Sequence, residues 1–302
     1  MSSTLSDNPR PHAQDATVQD PELGAALNAS QLAMVPGEQR AESGSHCESV
    51  ATASELEALA DNYESVRDCL YHLPRDCSDR TRAENLSLIG ILGRQDNISA
   101  VFRDILNDTT LLSEIARRSY HHTNHFDKIV LVDTGTQLGY RLTLHLWTPP
   151  YSEQEVNDEQ IHDHRFSFWS SILVGNIIFQ NYVRDASGVM FKEYQYIPER
   201  LGVSTVGNYY IDVGESPLLE MERSGGNAGE FYHLTYNRIH RVVLPRTEMS
   251  CTLVLRGPRQ KNYASVFSNS QKYDPSGNTM FSPESVAEKL SMVLDGIERR
   301  NS

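Results

Sequence analysis

From Asp127 onward the chain is a succession of short runs of β-branched and aromatic residues, broken by turn-forming clusters and free of helical periodicity until the C-terminus. The runs Lys128–Val132, Tyr140–Trp147, Phe166–Val174, Asn176–Val183, Phe191–Tyr196, Phe231–Leu234, His240–Leu244 and Ser250–Leu255 read as strands. Asp133-Thr134-Gly135, Asp185-Ala186-Ser187-Gly188 and Ser224-Gly225-Gly226-Asn227 read as turns between them. Parallel pairing needs crossover helices that this region lacks, so the strands should pair antiparallel, as a sandwich or barrel of the jelly-roll kind.

Three other stretches have helical spacing. Leu56, Leu59, Ala60, Tyr63, Val66 and Leu70 fall on one face of a helix over Thr52–Leu73, stopped by Pro74. Val101, Phe102, Ile105, Leu111, Leu112 and Ile115 do the same over Asn97–Arg118, and Val286, Leu290, Val293, Leu294 and Ile297 over the C-terminal segment Ser282–Arg300. Residues 1–50 are rich in Ser, Ala, Pro, Gly and acidic or amide side chains, too polar to offset the entropy of ordering, and are expected to form a disordered or loosely attached tail. The predicted organisation is therefore a tail over 1–50, a helical cap over 51–125 and a β-domain closed by a helix over 126–302.

A chain of 302 residues can bury a core without disulfide staples. Its four cysteines have neither Cys-x-x-Cys spacing nor the density of a secreted scaffold, which suits reduced thiols. Met1 to Gln14 lacks an apolar segment behind a basic start, and no run of about 18 apolar residues occurs, so the expected location is the cytoplasm. With 27 basic against 40 acidic side chains, a formal charge of -13, the chain has no basic surface for nucleic acid or an anionic membrane.

Chemistry concentrates in Ile161-His162-Asp163-His164 and, further on, Ile239-His240-Arg241-Val242. Alternation on a strand puts His162 and His164 on one face, and a third histidine from a neighbouring strand completes a facial site. Neutral imidazole suits iron, zinc, copper or nickel, and three protein ligands leave positions for substrate and dioxygen or water. Eleven histidines make one chance His-x-His unsurprising, so the alternative is a surface or hydrogen-bonded core pair. His121-His122-x-x-His125 also has ligand-like spacing, either as an accessory site or as a solvated loop.

Three segments between Asp127 and Pro258 resemble the cupin superfamily, and within it the cysteine dioxygenase-like enzymes. Leu142 to Trp147, then Ile161-His162-Asp163-His164 and Gly175, are similar to that family's strand, metal-binding pair and turn glycine. His240-Arg241-Val242, Thr247-Glu248 and Thr252 to Pro258 are similar to its third ligand and last barrel strand. The resemblance implies a mostly β, cupin-type jelly-roll barrel or sandwich with N-terminal helices and a C-terminal helix, in which His162, His164 and His240 hold Fe(II), with Zn or Ni as alternatives. The family's carboxylate-binding arginine matches Ile129, beside Lys128, and its active-site tyrosine matches Arg256. The usual cupin glutamate ligand falls at Phe168 or Trp169. These departures imply a three-histidine site and a substrate other than cysteine.

The expected function is a mononuclear non-haem iron dioxygenase-like oxidoreductase acting on a small polar metabolite with O2. A non-catalytic metal- or ligand-binding cupin and a metal-dependent isomerase or lyase are the other readings. Arg256 is a candidate to orient an anion, or a surface arginine at a strand end. His145 is a candidate proton carrier, or a histidine satisfied in the core. Arg141 and Trp147 share its strand parity and, with Trp169 and Tyr182, are the candidate substrate-binding residues. Expected partners are a small-molecule substrate and O2, with no nucleic acid or membrane, and sandwich edges that could pair in a homodimer.

Overall fold

The computed structural model describes residues 62–135, 138–197, 209–269 and 279–300, together with Met34–Val35. The chain divides into the units Met1–Ser30 and Gln31–Ser302, and every described residue belongs to the second. Four helices come first: α1 (Tyr63–His72), α2 (Asp79–Leu92), α3 (Gln95–Asn107) and α4 (Thr109–Ala116). Each start but that of α3 has a side-chain cap: the oxygens of Asn62, Ser78 and Asp108 accept backbone N–H groups that the first turn leaves without partners. Asp108 also explains why the stretch expected as one helix over Asn97–Arg118 is two. Its carboxylate accepts from Thr110 and Leu111 N–H at 2.9 and 3.0 Å, which stops α3 and starts α4. The first predicted helix is described from Tyr63; its residues 52–61 lie outside the described residues. So does the expected tail, except that Met34–Val35 (β1) forms a two-residue strand.

The β-region holds β2 (Tyr120–His122), β3 (Phe126–Asp133), β4 (Arg141–Trp147), β5 (Ile161–His162), β6 (Phe166–Val174), β7 (Asn176–Tyr196), β8 (Tyr210–Glu220), β9 (Ser224–Asn227), β10 (Phe231–Leu234), β11 (Ile239–Val242), β12 (Ser250–Arg259) and β13 (Ala264–Ser268). A short helix α5 (Glu153–Asp158) precedes β5, and α6 (Pro283–Arg299) follows the last strand, capped by Ser282. Every strand pair is antiparallel, as expected. One sheet runs β1-β10-β6-β12-β4-β3-β2, the other β11-β5-β13-β7-β8, with β9 on β7. The protein is thus a mostly β, antiparallel two-sheet sandwich with helices before and after it.

Two expected turns are not turns. Asp185-Ala186-Ser187-Gly188 is a bulge inside β7, where the register against β8 slips between Arg184 and Val189. The Asp185 carboxylate closes it by accepting from Ser187 N–H and hydroxyl, so the two predicted strands are one of 21 residues. Ser224-Gly225-Gly226-Asn227 is an edge strand on β7, where a Cβ on Gly225 would lie 2.3 Å from the Ile177 carbonyl oxygen.

Alternation sorts the side chains into layers. Ile129 and Leu131 of β3, Leu142 and Leu144 of β4 and Leu253 and Leu255 of β12 face outward into one cluster with Phe102, Ile115, Leu290 and Val293 of the helices. Phe126, Trp147, Phe168, Ile172, Phe179, Tyr232 and Val254 meet between the two sheets. A third, smaller group, Ile161, Tyr182, Leu218, Ile239 and Phe267, covers the far face of the second sheet. Cys69, Cys77 and Cys251 are unpaired thiols.

On the helix side of the first sheet His233 stacks on Trp169, ring centroids 5.1 Å apart. Burial, helped by the Arg82 charge, pulls the imidazole down to about 4. The unfolded chain therefore takes up this proton near pH 6.5 while the folded chain resists it, and stability is lost as pH falls from about 6.5 to about 4. His233→Phe keeps the stack and should flatten that loss by about 2 kcal/mol, allowing for the ring's partial exposure. Urea midpoints measured across this pH range check it; an unchanged slope would show that His233 is already charged in the fold.

Candidate metal centre

The two histidine motifs meet because β5 and β11 are neighbours in the second sheet, with His162 directly opposite His240. β5 is only two residues long, and its hold on the sheet comes from Asp163. Asp163 Oδ1 accepts from the Ser265 N–H at 2.6 Å and Oδ2 from Lys261 Nζ at 2.5 Å, which fastens β5 to β13. Burial raises the Asp163 carboxyl, against the opposing pull of Lys261 and the Ser265 N–H. His164 lies beyond the end of β5, where its N–H donates to the Tyr236 carbonyl at 2.9 Å. Ile161 and Ile239, of opposite parity to His162 and His240, anchor in the outer group with Phe267.

The three rings converge. Their centroids are 4.8 Å (His162–His164), 4.9 Å (His162–His240) and 5.1 Å (His164–His240) apart, with one ligand nitrogen from each within 4.8 Å of the others. Donors bound to one ion at about 2.1 Å in a facial or tetrahedral set lie about 3–3.5 Å apart, so the rings must draw together to hold an ion. They form the one such group among the described residues.

Hydrogen bonds set the tautomers. His162 Nδ1 lies 2.9 Å from the Gln160 carbonyl oxygen and His240 Nδ1 3.0 Å from that of Arg238. A carbonyl only accepts, so each Nδ1 carries the proton and each Nε2 keeps its lone pair for a metal. His164 Nε2 is buried with no hydrogen-bond partner, the condition of a nitrogen waiting for a ligand. Burial, then the neighbouring imidazoles, lower His164 well below the ordinary histidine range and His240 to about 3; burial also lowers His162. All three are thus neutral, the form that binds metal. The residues present fit a first-row divalent ion bound through imidazole. Among the described residues no carboxylate joins them: Phe168 turns its edge to His164 at 5.1 Å.

The remaining candidates divide by strand face. His145 and Trp147 face the space between the sheets, their rings against Phe126 at 4.3 and 5.2 Å. Arg141 shares their parity and is held by Asp133 at 2.5 Å. Arg256 is buried, not a surface group: Nη2 donates to the Gly139 carbonyl at 3.1 Å and the guanidinium lies 5.2 Å from the Phe166 ring centroid. Trp169 and Tyr182, in contrast, lie on the opposite faces of their strands, Trp169 toward the helices and Tyr182 in the outer group with Ile161. The structure does not bring them to the histidines.

The cluster at 121–125 disperses. His121 bonds Asp127 at 2.8 Å, His125 Nδ1 lies 3.9 Å from Glu155, and His122 turns inward to stack on Phe126 at 4.5 Å. It forms no second ligand group.

Two further residues turn inward here, His122, read above only as part of the loop cluster, and Lys128, which had no assigned role. His122 Nδ1 accepts from the Asn124 N–H at 3.1 Å, leaving Nε2 as its protonated nitrogen, and Asn124 Nδ2 reaches to 3.5 Å from His162 Nδ1. Lys128, opposite His145 in the β3–β4 register, shares the inward parity of Phe126, whereas Ile129 is fully buried on the helix side. The cation at the start of this sandwich is therefore the lysine beside the position that the resemblance picked out. Side-chain parity from Phe126 was the one available signal, and it is faint because β3 is apolar on both faces.

No family model matches the chain, and no curated protein matches it. Among solved structures, it is similar to hydroxypropylphosphonic acid epoxidase from S. wedmorenis at 12% identity and a TM-score of 0.28, over 68% of this chain and 96% of that one. It is also similar to the E. coli protein ycfD at 9% identity and a TM-score of 0.22, over 51% of this chain and 40% of that one. Likenesses this slight do not bear on the chemistry of the site.

Proposed function

We propose that this protein is a mononuclear non-haem iron enzyme that oxidises a small polar metabolite with dioxygen. The observation that carries the reading is the convergence of three neutral, lone-pair-bearing imidazoles, His162, His164 and His240, with no carboxylate beside them among the described residues. Fe(II) held there would keep its full charge and supply redox chemistry with dioxygen to a substrate that occupies the positions the protein leaves open.

The chain's own residues supply the surroundings. Phe166 and Phe168 pack on His164, and Phe179 on His240, which gives the ligand set an apolar wall. Arg256 presents a fixed cation between the sheets. His145, held neutral by burial and by the nearby Lys128 charge, is placed to carry a proton through Nε2, which lies 3.3 Å from the Thr143 hydroxyl. The same neutral His145 and His122 favour the second reading, a zinc- or nickel-dependent isomerase or lyase, because such chemistry needs proton carriers and no oxidant.

Anaerobic loading with iron, followed by nitric oxide titration and an oxygen-electrode screen of small acids, decides between them. Binding of nitric oxide with substrate-dependent oxygen uptake is the expected result. Turnover that persists without oxygen would instead identify the isomerase or lyase class, and loaded protein inert in both assays would remove the catalytic reading.

A further inference from the structure

The chain is strongly acidic, with 40 acidic against 27 basic side chains, yet the inward face of the first sheet is cationic. Lys128 of β3, Arg141 of β4 and Arg256 of β12 act on one another there, and Asp133 is the carboxylate among them. Arg141 engages Asp133 directly. Lys128 and Arg256 are left as two positive charges with no carboxylate partner in the described structure. Lys128 makes no hydrogen bond or ion pair there, although its surroundings enclose it and its charge is felt by His122, His145 and the ligand His164.

The neighbouring polar atoms point to the same need. The Thr252 hydroxyl, which shares a row with His145 and Lys128 across β12, β4 and β3, is buried without a partner. So are Trp147 Nε1, one position along β4 on the same face, and Arg256 Nε. Each can donate a hydrogen bond and none has an acceptor, whereas buried polar groups are otherwise almost always paired. A row of idle donors with two surplus charges is a site that lacks its anion.

We propose that this face binds the dianionic end of the substrate, either a pair of carboxylates or a phosphoryl-type group, through Lys128 and Arg256, with Thr252 as a supporting donor. The inference rests on the function proposed above, whose substrate it assigns to a class. Burial and the adjacent guanidinium groups pull the Lys128 ammonium down to about 7, and a bound anion would reverse that pull.

Calorimetric titration of the protein as isolated, at neutral pH where succinate and a large share of inorganic phosphate are dianions, with succinate, inorganic phosphate and propionate tests it. At least one of the two dianions should bind about tenfold more tightly than propionate, and which one it is separates a dicarboxylate from a phosphoryl substrate. Lys128→Met should erase the preference and Lys128→Arg retain it. The Met variant removes an unpaired interior charge, so it should melt no lower than the wild type. Equal affinity for all three ions, no binding of either dianion, or an intact preference in Lys128→Met would overturn the proposal. Metal content measured on the same samples keeps the two ideas apart: metal retained without a dianion preference sinks this inference alone, and a preference in protein that takes up no metal sinks the iron reading alone.

Discussion

His240→Ala should abolish metal retention. His240 is 2 % exposed, faces His162 across the β5–β11 pair, and offers the one ligand nitrogen that does not come from the 162–164 segment. Without it, two imidazoles from one short segment remain, a chelate with no partner strand to close it. Removing even an outer hydrogen-bond partner of a ligand commonly costs on the order of 10–100-fold in affinity, so loss of the ligand itself should exceed that. Metal analysis after gel filtration should fall from near-stoichiometric to about a tenth or less, and any oxygen uptake should go with it. The fold should survive, because the change deletes one buried ring and its bond to the Arg238 carbonyl, about 1–2 kcal/mol. His121→Ala, which removes an exposed ring bound only to Asp127, should leave metal content unchanged. Equal metal in His240→Ala and wild type would return all three histidines to ordinary core residues.

Gly175→Ala should strongly damage the fold, because it combines a backbone conformation reserved for glycine with a backbone clash. Gly175 joins β6 to β7 at a φ of +69°, a conformation that costs a residue with a Cβ about 1–2 kcal/mol. Its new Cβ would also lie 2.4 Å from the Met249 carbonyl oxygen and 3.2 Å from Ser250 Cα. Those backbone atoms lead into β12, the strand between β4 and β6, so they cannot step aside as a side-chain tip could. The sum is a loss of about 3–4 kcal/mol, read as a lower urea midpoint at unchanged slope. Gly135→Ala separates the two causes. Gly135 has a φ of +81° but nothing within 4 Å of its would-be Cβ, so it should lose only the conformational part, about 1 kcal/mol. Similar losses at both glycines would mean that β12 yields to the extra methyl.

What was legible in the sequence follows from how locally each feature is determined. The parity of His162 and His164 is a property of any extended chain, so the pair could be read without knowing the sheet. The C-terminal helix was legible because its apolar stripe is unbroken from Val286 to Ile297. Helix α2 was not, because Thr81 and Asn85 hold buried positions on its inward face, where Asn85 bonds the Tyr140 hydroxyl at 3.0 Å. Strand β9 was read as a turn for a related reason: half of it is glycine, so it has no strand propensity of its own.

Which face a residue occupies was harder, and here the sheets' surroundings decide. A sheet with one wet face shows its inside by alternation, but the first sheet is covered by helices on one side and by the second sheet on the other. Both parities of β3, β4, β6 and β12 are therefore covered, and the inward one carries polar side chains such as Arg141, His145, Thr252 and Arg256, so Trp169 reads like Trp147 although the two point to opposite layers. Ile129 and Lys128 divide the same way.

The sequence by itself determined the strand-rich texture, the antiparallel pairing that short connections demand, and the two histidine motifs with their internal geometry. The tertiary structure alone decided that β11 lies beside β5, which brings His240 to His162 and His164, and that Lys128 and Arg256 share one interior. The physical reason is that side-chain direction along a strand is set by neighbouring bonds, whereas the identity of the facing strand is set by the packing of the whole sandwich.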